Sequence, residues 1–317
     1  MHHGFPLDSP NNPWTGISPT TKLMLMRRSA SAVRVWTPAK VNLYLEVLAK
    51  RADGYHELAT LMAAVNLYDT LEMFENASGE TTLWCDDAAL STGPENLVCR
   101  AVELARHESS RRDGVAIRLW KRIPMAAGLA GGSSDAAATL AGLNRLWRLG
   151  WDRDKLIRMG AVLGSDVSFF FAGSAAWCTG RGERVEPLRL GRALDLVLVS
   201  PTVGLSTAEV FRGLTVPTEP RDGAAVRQAA ASGDVEALGR CLHNRLQSAA
   251  ERLCPEVAGL CARLSSLGSA GQLMTGSGST VIALCRNPGE ARTLARALHS
   301  ARDELNGARV FVVRSCD

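Results

Sequence analysis

The chain has 317 residues, of which 46% are hydrophobic and 21% are charged, and its formal net charge is +4 at pH 7. This composition is typical of a globular protein with a real core and one large or two medium-sized domains. The small, dispersed charge argues against a nucleic acid partner, and no apolar run approaches the ~18 residues of a membrane span. Eight cysteines without a CxxC pair are typical of free thiols, so we expect a cytoplasmic protein with no membrane partner.

The first 32 residues carry Pro, Asn, Ser and Thr without a hydrophobic period, which predicts a disordered tail. Beyond the tail, alternating and β-branched runs predict strands, with an interruption at residues 37–40. An amphipathic pattern predicts a helix over residues 95–109. The predicted strands cover residues 32–36, 41–48, 58–74, 81–85 and 115–120.

A glycine-rich stretch, PMAAGLAGGSSDAAA, follows the last of these strands at residues 124–138. Apolar residues then recur at three- and four-residue intervals, which predicts a helix that begins near Ser133. Glycines let backbone N–H groups approach a ligand, and the first turn of a helix favours negative charge. The stretch therefore predicts a phosphate-binding loop, although no GKS or GKT is present. The alternative is a tight turn in which Ser133 or Ser134 is an ordinary helix cap.

The second half of the chain mixes strands and helices without regular alternation, which predicts an α+β fold rather than a doubly wound sheet. A change of character near residues 187–192 predicts an N-terminal domain over 33–188 and a C-terminal domain over 189–317. We expect helices over 152–163, 206–212, 223–231, 235–242, 245–252, 257–267 and 290–301, and strands over 167–172, 175–178, 183–188, 194–200, 272–275, 280–285 and 309–314.

Several motifs resemble those of the GHMP kinases, a family of small-molecule kinases. The glycine-rich stretch is similar to the PxxxGLxxSSAA motif of that family. Further motifs resemble one branch, which acts on a cytidine-diphosphate-linked methylerythritol. These are PAKVNL at 38–43, DGYHEL at 53–58, GSDV at 164–167 and TGSG at 275–278.

The resemblance implies a two-lobed GHMP kinase fold of the α+β class, with the active site in the cleft between the lobes. It also implies transfer of phosphate from ATP, with Mg2+, to the 2-hydroxyl of that small-molecule substrate in non-mevalonate isoprenoid precursor synthesis. Two alternatives remain open. One is another GHMP kinase of the mevalonate or homoserine type, and the other is a non-catalytic GHMP-like nucleotide sensor.

Phosphoryl transfer to an alcohol needs a group that takes the hydroxyl proton and groups that hold charge. By resemblance, Asp166 is the candidate base and Lys40 lies beside it; taken alone, these residues also fit a turn and an edge-strand charge. On the substrate side, Tyr55 is expected to stack on the cytosine and His56 to bind its edge, opposite Phe211. The other candidate substrate-binding residues are Asn42, Gly276, Ser277 and Gly278.

The ATP-binding residues are expected to be Pro124, Met125, Ala126, Ala127, Gly128, Leu129, Ala130, Gly131, Gly132, Ser133 and Ser134. No metal ligand is certain, and Ser133 or Ser134 offers the candidate hydroxyl for Mg2+. Two positions depart from the branch. Ser168 replaces its usual proline, and Asn244–Gln247 reads NRLQ where an NDLE-like element with two acids is common.

Overall fold

The computed structural model describes residues 23–29, 31–76, 78–301 and 305–316. These residues form two β-sheets with helices packed on them. The strands are β1 (Leu25–Arg28), β2 (Ala32–Lys50), β3 (His56–Asn76), β4 (Thr81–Cys85), β5 (Gly114–Trp120), β6 (Ala175–Gly180), β7 (Arg184–Pro187), β8 (Asp195–Ser200), β9 (His243–Asn244), β10 (Gly271–Met274), β11 (Val281–Cys285) and β12 (Arg309–Arg314). The eight-stranded sheet has the order β1-β2-β3-β5-β4, with β6 on β3, β7 on β6 and β9 on β2, and the four-stranded sheet has the order β10-β11-β8-β12.

All but one of the helices follow the predicted positions closely. The expected mixed order of helices and strands is therefore confirmed, and the fold is α+β. None of the helices among the described residues is long and apolar enough to cross a membrane. They are α1 (Leu97–Ser109), α2 (Gly131–Leu146), α3 (Arg153–Leu163), α4 (Phe169–Ala172), α5 (Thr207–Arg212), α6 (Ala224–Ser232), α7 (Val235–Cys241), α8 (Gln247–Leu253), α9 (Glu256–Ser266) and α10 (Pro288–Ser300).

The long hairpin of β2 and β3 forms the centre of the first sheet. Strand β2 runs without a break through residues 37–40, where the sequence predicted an interruption, because Pro38 lies at a register shift between Pro38 and Ala39. A β-bulge of this kind accommodates a proline, which cannot donate to the ladder. The result is one continuous strand that carries both halves of the PAKVNL motif.

Helix α2 packs closely on this hairpin through its small residues. The side chains of Ala136, Ala137 and Ala138 are fully buried. At Gly142, a Cβ atom would lie 2.6 Å from the sulfur of Met73 on β3, so a larger residue would require the Met73 side chain to move. The alanine-rich sequence thus places the start of α2 directly against the strand that carries the candidate lysine.

Two further sequence-based predictions are wrong. The tail is not disordered over its last part, because β1 pairs with β2 and Leu23, Met24 and Met26 are buried in the core. Residues 1–22 lie outside the described residues. The apolar run at 167–172 is not a strand, since it forms the short helix α4, with Phe169, Phe170 and Phe171 in the core.

The predicted domain boundary at residue 188 lies between β7, in the first sheet, and β8, in the second. The short strand β9 then returns to the first sheet, where it pairs parallel to β2 at Tyr44 and Leu45. A second return is the bridge between Val65 on β3 and Ser315 near the end of the described chain. The two sheets are therefore tied together, and the division into two domains remains a prediction.

Candidate active site

A cavity of about 1140 Å³ brings the sequence motifs together. Its wall includes β2, the turn before β3, the glycine-rich loop, the start of α2, the segment after α3, and α5. The candidate residues Lys40, Asn42, Tyr55, His56, Asp166, Phe211, Gly276 and Ser277 all line it, whereas Gly278 does not. Residues that are distant in sequence thus meet at one place.

The glycine-rich loop forms one side of the cavity and leads into α2. Its backbone takes left-handed φ values at Ala126, Gly128 and Ala130, so the chain turns sharply before the helix begins. Helix α2 has Ala130 as its N-cap, with no side-chain capping bond. Nine of the eleven predicted ATP-binding residues line the cavity: Pro124, Met125, Ala126, Ala127, Gly128, Ala130, Gly131, Gly132 and Ser133. An anion at this helix start would face the uncapped amides of its first turn.

The remaining two predicted residues, Leu129 and Ser134, point into the protein. Both are fully buried. The Ser134 hydroxyl donates to the Pro38 carbonyl at 2.6 Å and lies 2.6 Å from the Thr37 hydroxyl. This serine therefore fastens α2 to β2, and Ser133 is the hydroxyl that faces the cavity.

The TGSG turn between β10 and β11 packs directly on the glycine-rich loop. A Cβ atom on Gly128 would overlap the Thr275 carbonyl oxygen, and one on Gly276 would lie 2.7 Å from the Gly128 carbonyl oxygen. The amide of Thr280 also donates to the carbonyl of Ala127 at 3.3 Å. Close approach of the two turns requires glycine at both positions, which explains why both motifs contain it.

Lys40 and Asp166 form an ion pair, although they are far apart in sequence. The Lys40 Nζ atom lies 3.4 Å from Asp166 Oδ2, and it donates to Asn42 Oδ1 at 2.7 Å and to the Gly128 carbonyl at 3.1 Å. The lysine side chain is 4% exposed and the aspartate side chain 29% exposed. The lysine is thus fixed in the wall, while the carboxylate remains accessible from the cavity.

Asn42 holds this arrangement on the β2 side. Its side-chain amide donates to the Thr60 hydroxyl at 2.7 Å, and its oxygen accepts from Lys40. Its backbone amide donates to the Thr275 hydroxyl, also at 2.7 Å. Because both ends of its side chain are used within the protein, Asn42 positions Lys40.

A buried cluster of charges lies behind the loop. Lys121 pairs with Asp135 at 2.7 Å and also with Asp69, which accepts hydrogen bonds from the amides of Arg122 and Ile123. Burial raises the pKa of Asp135, partly offset by Lys121, and its Oδ1 has no hydrogen-bond partner among the described residues. The two carboxylates outweigh burial and raise the pKa of Lys121.

Aromatic side chains lie at the other end of the cavity. Tyr55 is 54% exposed, and the Arg181 guanidinium lies 4.8 Å from its ring centroid. The ring of His56, rather than that of Tyr55, lies against Phe211, at 5.1 Å between centroids and 28° between planes. Burial, and then the charge of Lys50, lower the pKa of His56, which favours its neutral form. A cytosine between Tyr55 and Phe211 remains a prediction.

The two departures from the branch have structural explanations. The Ser168 hydroxyl donates to the Ile157 carbonyl on α3 at 2.9 Å, so it fastens the turn after Asp166. Arg245, at the position of the first missing acid, forms a bidentate pair with the fully buried Glu46 on β2. Beside it, Asn244 donates to the carbonyls of Met274 and Gly276 at 2.7 and 2.8 Å and so supports the TGSG turn.

Sequence reasoning missed several residues of the site. Lys121 lies three residues before the glycine-rich stretch, and Asp135 lies inside it. A charged residue within an apolar pattern was the signal that could have identified both. Asp69 gave the same signal, a charge within the apolar run 58–74. Arg181 looked like a simple turn residue between two glycines.

Comparison of the sequence with known proteins supports the kinase interpretation of this cavity. A profile of the GHMP kinases N terminal domain matches residues 96–174, and one of the GHMP kinases C terminal region matches residues 226–303. A 4-diphosphocytidyl-2-C-methyl-D-erythritol kinase from Pelotomaculum thermopropionicum is 42% identical over 275 residues, which cover 86% of this chain and 96% of that protein.

Solved structures show the same relationship. The crystal structure of a 4-(cytidine 5'-diphospho)-2C-methyl-D-erythritol kinase has a TM-score of 0.74 and 35% identity, and the match covers 90% of this chain and 99% of that one. A homoserine kinase from Cytophaga hutchinsonii has a TM-score of 0.72 but only 18% identity, over 91% and 96% of the two chains, and so shares the fold. The chain therefore belongs to the GHMP kinase family, in the branch of its 4-diphosphocytidyl-2-C-methyl-D-erythritol kinase relatives.

Proposed function

We propose that this kinase transfers the γ-phosphate of ATP to the 2-hydroxyl of 4-diphosphocytidyl-2-C-methyl-D-erythritol, a step of non-mevalonate isoprenoid precursor synthesis. The observation that carries the proposal is the Lys40–Asp166 pair, 3.4 Å apart, in one cavity with the glycine-rich loop. The names of the relatives with 37–42% identity support the choice of substrate.

The reacting pair would act on the substrate hydroxyl. Asp166 is accessible and can accept the hydroxyl proton as the oxygen attacks the γ-phosphorus, while the bond from that phosphorus to the β–γ bridging oxygen breaks and ADP leaves. Lys40, held by Asn42 and Gly128, keeps a positive charge next to that oxygen, where negative charge develops. Because Lys40 is already bonded on three sides, little rearrangement is needed in the transition state.

The residues present fit ATP, because the loop offers a cradle without side chains. Gly128, Gly131 and Gly132 line it without a Cβ atom, and the first turn of α2 has no side-chain cap that would compete with phosphate oxygens. Within the described ranges, no group of three or more His, Cys, Asp or Glu side chains is arranged for a metal. A Mg2+ would therefore be held mainly by phosphate and water oxygens with Ser133, and would neutralise phosphate charge.

The aromatic end of the cavity favours a pyrimidine-bearing substrate over small acids such as homoserine or mevalonate. Tyr55, His56 and Phe211 present rings on which a base can stack, and the neutral imidazole of His56 can donate to or accept from a base edge. A small aliphatic substrate needs no such surface.

We place the reaction in the cytoplasm. No disulfide joins the cysteines of the residues that the structure describes, and burial raises the pKa of Cys178 and Cys261, which keeps them protonated and unreactive. Free thiols are the usual state in a reducing compartment.

The test is a coupled ADP-release assay with purified full-length protein, Mg2+ and ATP. The candidate acceptors are 4-diphosphocytidyl-2-C-methyl-D-erythritol, mevalonate and homoserine. We expect turnover with the first and at least 100-fold lower kcat/KM with the others, since they cannot use the aromatic surface. Turnover of mevalonate or homoserine alone would assign the chain to that type. ATP binding without turnover of any acceptor would identify a nucleotide sensor.

A further inference from the structure

We propose that Arg181 binds the diphosphate of the substrate, between the aromatic residues and the reacting pair. This proposal rests on the function proposed above and adds a specificity-determining residue to it. Arg181 lies in the turn between β6 and β7, and it lines the cavity.

The sheet places this turn between the two ends of the cavity. Strand β6 pairs antiparallel to β3, with Gly180 opposite Leu58, so the turn lies beside the residues that begin β3. On the far side of the turn, a Cβ atom on Gly182 would lie 3.6 Å from Asp166 Oδ1. Arg181 therefore has the base-binding end on one side and the candidate catalytic carboxylate on the other.

The Arg181 guanidinium forms no ion pair within 4.0 Å among the residues that the structure describes. It lies over the face of Tyr55 and interacts electrostatically with Asp53 at a longer distance. The nearby Asp53 is already bonded through both carboxylate oxygens to Arg51, at 3.3 and 3.1 Å. Arg181 is thus a cation in the cavity wall with donors free for an anion, whereas Lys40 is bonded to three groups of the protein.

The chemistry of the substrate requires an anion at this place. A cytidine diphosphate ester that stacks its base near Tyr55 and presents its alcohol to Asp166 must pass its diphosphate between them. A guanidinium offers a planar fork of donors that matches phosphate oxygens and also stacks on an aromatic ring. Gly180 and Gly182 both have left-handed φ values, which lets the turn present Arg181 in this way.

The test compares ligands that differ only in the diphosphate. Binding of cytidine and of CDP is measured by calorimetry, with a non-hydrolysable ATP analogue present to occupy the nucleotide site. We expect Arg181→Gln to weaken CDP by at least about 10-fold, as for a lost charged hydrogen bond, and to leave cytidine within about 3-fold. Arg181→Lys should give a smaller loss, because it keeps the charge but not the fork. Arg184→Gln, on an exposed residue outside the cavity, is the matched control and should change neither ligand.

In turnover assays, Arg181→Gln should raise the KM for the diphosphocytidyl substrate by the same factor, with the KM for ATP unchanged. An equal loss of cytidine and CDP affinity would overturn the proposal, since Arg181 would then act only through Tyr55. Unchanged CDP affinity in a folded Arg181→Gln protein would also overturn it. Failure of the proposed function would look different, because the unmodified protein would then bind no CDP and turn over no diphosphocytidyl substrate.

Discussion

Replacing Glu46 with glutamine should destabilise the protein strongly and in a pH-dependent way. The Glu46 carboxylate is fully buried on β2, the strand that carries Lys40. It accepts hydrogen bonds from Arg245 at 2.7 and 2.8 Å, from the amides of Val47 and Arg221 at 2.8 and 3.0 Å, and lies 3.1 Å from His243 Nε2. The substitution removes one charge and keeps the volume.

The magnitude follows from the pKa of this carboxyl. Burial alone would raise the pKa, but the bonds from Arg245 and from the two amides outweigh burial and lower it from 4.5 to about 2. Each pKa unit corresponds to about 1.36 kcal/mol, so ionised Glu46 contributes about 3 kcal/mol to the free energy of unfolding at pH 7. A lowered pKa gives stability that is complete above pH 4.5 and is lost as the pH falls toward 2. We therefore expect about 1.4 kcal/mol to remain at pH 3.

The assay is urea unfolding followed by tryptophan fluorescence, with sucrose added at low pH. The free energies of the parent and Glu46→Gln proteins are compared from pH 7 to pH 3. The pKa of His243 is also shifted, in this case lowered by burial, so its titration would contribute to the pH dependence. Both proteins should therefore carry His243→Gln. Glu186→Gln, at an exposed pair with Arg227, is the control and should cost at most about 1 kcal/mol at every pH. A loss below 1 kcal/mol for Glu46→Gln at pH 7, or a loss independent of pH, would refute the reasoning.

Three further predictions concern the site. Lys40→Met and Asp166→Asn should each lower kcat by 100-fold or more while the substrate still binds. The double mutant should be barely slower than either single mutant, because the effects of residues that act together are not additive. Additive losses of kcat in steady-state kinetics would contradict joint action. In urea unfolding at pH 7, Asp69→Asn should lower the free energy of unfolding by about 3–5 kcal/mol, because it breaks a buried ion pair. Asp135→Asn should lower it by less than about 1 kcal/mol, since burial raises the pKa of that carboxyl and favours its neutral form. Equal losses for the two mutants would show that both carboxyls are charged. Gly128→Ala should raise the KM for ATP at least 10-fold, since a Cβ atom would overlap the facing turn at a left-handed φ of 77°; an unchanged KM would mean that the loop does not bind phosphate.

Local pattern was sufficient for much of the fold. The helix that follows the glycine-rich stretch, the five helices between residues 206 and 267, and the last strand were predicted within a few residues, because hydrophobic periodicity reports which face of a segment is buried. Periodicity failed at residues 167–172, where a short apolar run fits a buried helix as well as a strand. It also failed at Leu25–Arg28, where pairing with β2 orders a short segment that the sequence placed in a disordered tail.

The sequence by itself determined the motifs, the residue types of the site and the family, since each motif is a contiguous stretch with a local geometry. Only the tertiary structure decided which of those side chains face the cavity. It buried Ser134 against Pro38 and left Ser133 facing the cavity, and it brought Asp166 within 3.4 Å of Lys40. It also placed Arg181 over Tyr55 through the pairing of β6 with β3. The physical reason is that burial and charge pairing depend on contacts between distant segments, which no local pattern contains.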